Sequence, residues 1–266
     1  MKVSSMDVNV YGRGADQIVL VHGLLGLFTT WTHTIPALAR HATVFEIVLP
    51  DYKDRPGGYS LDDYAGHVLQ VLDARHLKGV TLVGNSLGGH IATRIAARHP
   101  DRVARLVLIT SSGLFDEVAA HEKLIVRTPS RTNVDRVLRH IFHDQRYCDA
   151  ATVEAVIDYY HAPGGRVRLR SFIRTARNLR TEDAAGDVKR IRIPTLILWG
   201  ANDRVVPIQI ACQFHALIQG SVLEVLDDCG HAPQIEKADE VNRLILEFIS
   251  SPTAWRGNDA IDRVSI

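Results

Sequence analysis

Cysteine is scarce in this chain of 266 residues. Cys148, Cys212 and Cys229 form an odd, scattered set without paired metal-site spacing. A disulfide framework and a cysteine-held metal are therefore not expected, and the three side chains read as reduced thiols of a cytoplasmic protein. A charge bias is missing as well: Lys plus Arg number 31 against 30 Asp plus Glu, a net charge of +1. Nothing here points to nucleic acid or to an anionic membrane surface as a partner. No apolar run reaches the roughly 18 residues of a membrane span. The opening Met-Lys-Val-Ser-Ser-Met-Asp carries no apolar signal region, so a cytoplasmic location is the expectation. Internal repeats and low-complexity segments are absent, and no feature specifies an oligomeric state.

What is present suits one large α/β domain, or such a domain with an insertion, long enough to bury a sizeable core. Ile18–Val21, Val44–Leu49, Val80–Val83, Leu106–Thr110 and Pro194–Trp199 are nearly continuous apolar runs. Such runs are expected of strands buried on both faces of a parallel sheet. Val222–Leu226 reads as the last strand. Helical patterns separate the strands. Ser60-Leu-Asp-Asp63 opens one as a capping box, with Leu61, Ala65, Val68, Leu69 and Leu72 on one face. Another runs from the Ser86 region to His99, where Pro100 cannot continue it. Alternating strands and helices of this kind define an α/β fold with mostly parallel strand order.

The densest stretch is Gly84-Asn-Ser-Leu-Gly-Gly89, between a strand and a helix. Gly-x-Ser-x-Gly in this context describes a turn so sharp that serine is strained, and glycines at 84 and 88 let the backbone segments nearly touch. Such a turn lifts Ser86 Oγ over the sheet's end and leaves the Leu87 N–H pointing into the same space. A glycine-flanked serine alone is also compatible with an ordinary turn, so the other partners matter. His22-Gly-Leu-Leu-Gly26 follows the first apolar strand, on the same rim. Gly23 and Gly26 permit close backbone approach, and the Leu24 N–H is the candidate second oxyanion donor; His22 reads as structural. Asp203 follows the strand ending at Trp199, and His231 follows Val222–Leu226. Serine, acid and histidine thus arise at the carboxyl ends of three different strands.

Between Leu114 and Arg190 no buried strand appears. Three amphipathic patterns stand there instead: Val134 to Phe142 with Asn133 as expected N-cap, Val153 to Tyr160, and Leu169 to Ala176. This block, residues 114–190, reads as an inserted helical cap on a core made of 1–113 and 191–266. Arg170, Arg174 and Arg177 share one helical face. They read first as a solvated face; one turned into the cleft would bind a carboxylate. The polar stretch from Ser250 is expected to fray, with Trp255 as its one apolar docking candidate.

These motifs resemble the α/β-hydrolase superfamily over nearly the whole chain, the cap being the weakest part. The matching pieces are His22-Gly-Leu-Leu-Gly26, Gly84-Asn-Ser-Leu-Gly-Gly89, Trp199-Gly-Ala-Asn-Asp203 and Cys229-Gly-His231. The resemblance implies Ser86 as nucleophile, Asp203 as triad acid, His231 as base, and the Leu24 and Leu87 amides as oxyanion hole, with no cofactor and no metal. Serine rather than aspartate at the elbow argues against epoxide hydrolases and haloalkane dehalogenases. Asn85 and the doubled glycine are similar to the branch containing carboxylesterases and hydrolases of ring-fission diketones.

The expected reaction is hydrolysis of a small-molecule carboxylic ester of small to medium acyl size through an acyl-enzyme. The enzymatic alternative is C–C bond hydrolysis of a ring-fission ketone. That group often carries tryptophan directly after the catalytic histidine, where Ala232 stands here, and an acidic dienoic substrate would call for a cap arginine such as Arg177. Asn85 and Arg177 are therefore the candidate substrate contacts. A third reading, from another class, is a small-molecule receptor on a hydrolase-like fold.

Overall fold

The computed structural model describes residues 8–24, 30–50, 55–114, 129–179 and 181–250. Seven strands form its sheet: β1 (Val8–Tyr11), β2 (Gln17–Val21), β3 (Thr43–Ile47), β4 (Val80–Asn85), β5 (Val103–Ile109), β6 (Thr195–Gly200) and β7 (Val222–Leu226). Their spatial order is β1-β3-β2-β4-β5-β6-β7. Only the β1–β3 pair is antiparallel, every other pair being parallel.

Because side chains alternate across a strand, each central strand feeds two apolar layers. Val19, Leu82, Leu106 and Ile197 enter one layer, with Val68 of α2 (Leu61–Ala74) and Ile91 and Ile95 of α3 (Leu87–Arg98). Ile18, Leu20, Val83, Val107 and Leu198 enter the other. That second layer is closed by Leu38 of the short α1 (Thr34–Leu38) and by Val241 and Ile245 of the last helix, Ala238–Ser250. A sheet covered on both faces explains why its strands are apolar throughout rather than alternating.

Between β5 and β6 the described residues form helices: α4 (Arg131–Ile141), α5 (Ala150–His161), α6 (Gly165–Leu179) and the short α7 (Ala185–Val188). After β6 come α8 (Ile208–Leu217), α9 (Pro233–Glu236) and α10 (Ala238–Ser250). No helix among the described residues is long and apolar enough to cross a membrane.

Three local expectations change. α4 begins earlier than Asn133: Ser130 is its N-cap, its Oγ accepting the Asn133 N–H at 3.4 Å. The serine's hydroxyl reaches the third helical amide, and Asn133 lies inside the first turn. β3 stops at Ile47 rather than Leu49. His67 Nε2 takes the Val48 carbonyl at 3.0 Å and the Leu49 N–H donates to His22 Nε2 at 3.3 Å, so both backbone groups leave the ladder. β1 has no counterpart among the expected strands. It is a four-residue edge with only Val8 buried, too short and too exposed to produce a buried-strand pattern.

Candidate active site

β4 runs straight into Ser86, which has φ 54° and ψ −117°, a region L-residues rarely occupy. Strain of this kind typically costs about 1–3 kcal/mol and persists only where surroundings enforce it. Here the Ser86 N–H donates to Ile109 O at 3.0 Å, and Ser86 O accepts from His90 N at 3.1 Å and Ser112 N at 3.2 Å. The glycine requirement is steric: a Cβ on Gly84 would stand 2.2 Å from Gly88 O, and one on Gly88 would stand 2.0 Å from Val21 O. The same contact seats the start of α3 on the end of β2.

On that end lies Gly23, where a Cβ would meet Ser86 Cβ at 3.2 Å. The backbone of 22–24 therefore passes directly beside the serine, and Leu24 lines the same cleft. Leu25 and Gly26 lie outside the described residues. His22 is held as a single neutral tautomer. Nδ1 lies 2.8 Å from Gly23 O, which can only accept, and Nε2 accepts the Leu49 N–H. Burial accordingly lowers the His22 pKa.

Asp203 and His231 form a buried pair. Asp203 Oδ1 accepts the N–H groups of Val205 at 2.7 Å and Val206 at 2.9 Å, which orients the carboxylate. Its Oδ2 receives His231 Nδ1 at 2.8 Å. Since a carboxylate accepts, Nδ1 carries the proton and Nε2 is left with a free lone pair. His231 and Ser86 line one cleft together. The arrangement can deliver a serine hydroxyl, a correctly tautomerised imidazole and backbone donors to one substrate carbonyl.

Asn85 also lines the cleft, but its Nδ2 is engaged, donating to Ile109 O at 3.2 Å and to Thr110 Oγ1 at 2.9 Å. Thr110, at φ 44°, passes its own proton to His231 O at 2.9 Å. Asn85 and Thr110 thus tie the serine strand to the histidine loop. Arg177 is exposed on α6 and does not line the cleft. Arg170 and Arg174 are likewise exposed, and Arg174 Nη1 donates to Pro56 O.

The cleft walls are apolar: Leu24, Ile141, Phe142, Phe172, Ala232 and Ile235. Three of these come from the stretch between β5 and β6. Among the described residues no lysine or arginine lines it. Its volume is about 70 Å³, small beside the roughly 300–1,000 Å³ usual for ligand pockets.

Sequence reasoning missed two residues here. Gln234 lines the cleft almost fully buried, its Oε1 without a hydrogen-bond partner among the described residues. Glu236 is half-buried, and its carboxylate accepts three backbone N–H bonds, from Gly230, His143 and Asp144. Burial nevertheless dominates and raises its pKa. In the sequence Glu236 resembles any first-turn acid, and only its position five residues after His231, beside the apolar Ile235, sets it apart.

A family model described as the alpha/beta hydrolase family matches residues 18–244, and the chain belongs to that family. It is similar to a 2-hydroxy-6-oxo-2,4-heptadienoate hydrolase of Pseudomonas putida, 31% identical over 261 residues covering 92% of this chain and 94% of the relative. A 2-hydroxymuconate semialdehyde hydrolase of Pseudomonas putida is 32% identical over 226 residues, covering 81% and 80%. Among solved structures, a meta-cleavage product hydrolase from Pseudomonas fluorescens superposes with TM-score 0.82 at 28% identity, over 92% of this chain and 94% of that one.

Proposed function

We propose that this hydrolase works through a serine nucleophile, Ser86, with His231 as base and Asp203 as the acid that orients it. The carrying observation is convergence: a strained serine and the histidine of a buried Asp203–His231 pair border one cleft beside Gly23 and Leu24. His231 Nε2 takes the Ser86 proton as Oγ attacks a substrate carbonyl. The Leu24 and Leu87 N–H groups stabilise the oxyanion, and Asp203 stabilises the imidazolium. Collapse of the tetrahedral intermediate expels the leaving group, which takes the proton from His231. Water, deprotonated by the same histidine, then releases the acid and restores Ser86. Residues 114–190 act as a cap that supplies Ile141, Phe142 and Phe172 to the cleft.

For the substrate we favour a neutral carboxylic ester with a short acyl group. An apolar cleft of about 70 Å³, without a lysine or arginine among the described lining residues, suits that group better than a dienoic acid. A buried carboxylate without a charged partner is costly. The second reading, C–C bond hydrolysis of a 2-hydroxy-6-oxo-dienoate, is favoured by what the relatives are named for. Ala232 follows the histidine here and leaves the cleft without the indole often found there.

The test is a p-nitrophenyl ester series, acetate through decanoate, assayed beside 2-hydroxy-6-oxo-2,4-heptadienoate with wild type and Ser86→Ala. Ester turnover with an optimum at short chains, abolished in the variant, supports the first reading. A dienoate kcat/KM exceeding every ester supports the second. A silent wild type that binds substrate tightly points to a receptor instead.

A further inference from the structure

Gly230, the residue before His231, lies flat against the chain leaving α4. A Cβ there would stand 2.5 Å from Ile141 O and 2.6 Å from His143 N. The His231 N–H donates to Ile141 O at 2.8 Å. The proposed base is therefore carried on a loop whose backbone is bonded to the cap, beside Ile141 and Phe142 of the cleft wall.

Glu236 bridges the two sides of this seam. Its Oε1 accepts the Gly230 N–H at 2.9 Å, and its Oε2 accepts the His143 N–H at 2.8 Å and the Asp144 N–H at 2.9 Å. All three donors are backbone amides, which can only donate, so the seam needs an acceptor on each side. A carboxylate presents two. A glutamine of the same shape presents one, and its NH2 would face an N–H on whichever side it occupied. The neighbouring Tyr147 hydroxyl donates to Ile235 O at 3.1 Å, adding a second cap contact to α9.

We infer that Glu236 is a positioning residue: its carboxylate locks the cap segment 141–144 to the loop bearing His231, so that cleft wall and base move as one unit. The inference rests on Ser86 and His231 acting as proposed above. It goes beyond that reading because Glu236 touches neither the serine nor the proposed substrate. It acts through the backbone of Gly230, and thereby through the place of the imidazole.

The experiment is covalent labelling of Ser86 by a small fluorophosphonate, a probe that needs a histidine-activated serine but not the natural substrate. Saturation kinetics separate the rate of bond formation from probe affinity. For Glu236→Gln, judged folded by its melting curve, the labelling rate constant is expected to fall roughly 10- to 100-fold, the scale of small misplacements of catalytic groups. The half-saturating concentration should stay within about two-fold, since a loss confined to the reactive step removes an interaction of the transition state. A purely structural role would lower the labelled fraction and leave the rate per folded molecule untouched, which overturns the inference. If wild type shows no labelling that Ser86→Ala removes, the serine reading fails and the inference with it. Hydrogen exchange on wild type supplies an arm independent of any variant. The amides of Gly230, His143 and Asp144 should be protected together and open together; fast, independent exchange at His143 and Asp144 overturns the lock.

Discussion

Two groups of charged side chains, each built around a buried member, are satisfied in opposite ways in this molecule. On the rim, Asp203 takes two backbone N–H groups and one imidazole, and Glu236 takes three backbone N–H groups. Among the described residues neither has a lysine or arginine partner. On α3, behind the serine, Arg94 instead collects carboxylates: Nε reaches Asp187 at 2.9 Å, Nη2 reaches Glu182 at 3.1 Å, and Nη1 bonds Asp62. Arg98 adds a second bond to Asp187 at 3.1 Å. Backbone amides are fixed dipoles. They hold a carboxylate in one orientation and leave an oxygen for the histidine, where a guanidinium would compete for it. The Arg94 group ties α3 to α2 and to the chain that leads from α6 into α7, a task for which opposite charges serve well. Backbone amides fix the orientation of the rim carboxylates, while opposite charges hold α3 to its neighbours.

The largest loss of activity is expected at Asp203. In Asp203→Asn the Oδ1 position can still accept from Val205 and Val206, but an NH2 then faces His231 Nδ1. The imidazole must adopt the other tautomer, which leaves no lone pair toward Ser86. Hydrolysis is expected to fall about 10⁴-fold, with a melting temperature close to wild type. Arg94→Met should do the reverse. Asp187 keeps Arg98 but loses its buried partner, so the loss should sit near the lower end of what breaking a buried pair costs, about 3 kcal/mol in urea unfolding. Activity per folded molecule should change little. A large rate loss in Arg94→Met at unchanged stability would show that the cluster also sets the serine's place.

The same division marks what was legible in the sequence. The sharp turn at Gly84, Ser86 and Gly88 could be read because a strand-to-helix turn of that kind admits few residues, and the pairing of Asp203 with His231 because each lies in the loop that follows an apolar strand. The central strands could be read because burial on both faces removes polar residues. Glu236 escaped notice because it bonds backbone groups of distant segments, and a backbone amide leaves no trace in residue type. β1 escaped for a related reason, since three of its four residues face solvent. Arg177 was a candidate on its chemistry alone; α6 packs on the loop at 55–60 through Ser171 and Thr175, which turns the arginine face outward.

A smaller effect is expected at a side chain that works only while uncharged. His22 donates from Nδ1 and accepts at Nε2, and burial depresses its pKa. Above about pH 6.5 it is neutral both folded and unfolded, so it adds no pH dependence. As the pH falls below that value the unfolded chain takes up a proton that the folded chain refuses, and stability drops until the folded pKa is reached. The slope from this one group approaches about 1.4 kcal/mol per pH unit. Urea unfolding between pH 7 and pH 5 should lose more stability in wild type than in His22→Asn, which keeps hydrogen-bonding capacity without a titration. Equal slopes would mean that His22 is protonated in the folded protein, with its Nε2–H set against the Leu49 N–H.

The smallest expected effect discriminates most sharply between the two substrate readings. Arg177 is an exposed cation on α6, outside the cleft lining. Arg177→Ala should alter stability by no more than about 0.5 kcal/mol, as surface substitutions do. It should leave kcat/KM for a neutral p-nitrophenyl ester unchanged. With 2-hydroxy-6-oxo-2,4-heptadienoate the same variant becomes a probe of where α6 lies. An unchanged KM agrees with a cleft that offers a carboxylate no partner from α6. A several-fold rise in KM for the dienoate alone would mean that α6 turns when an anion binds, bringing the arginine face inward. That outcome would transfer the preferred substrate from a neutral ester to an acid, with the serine and its partners unchanged.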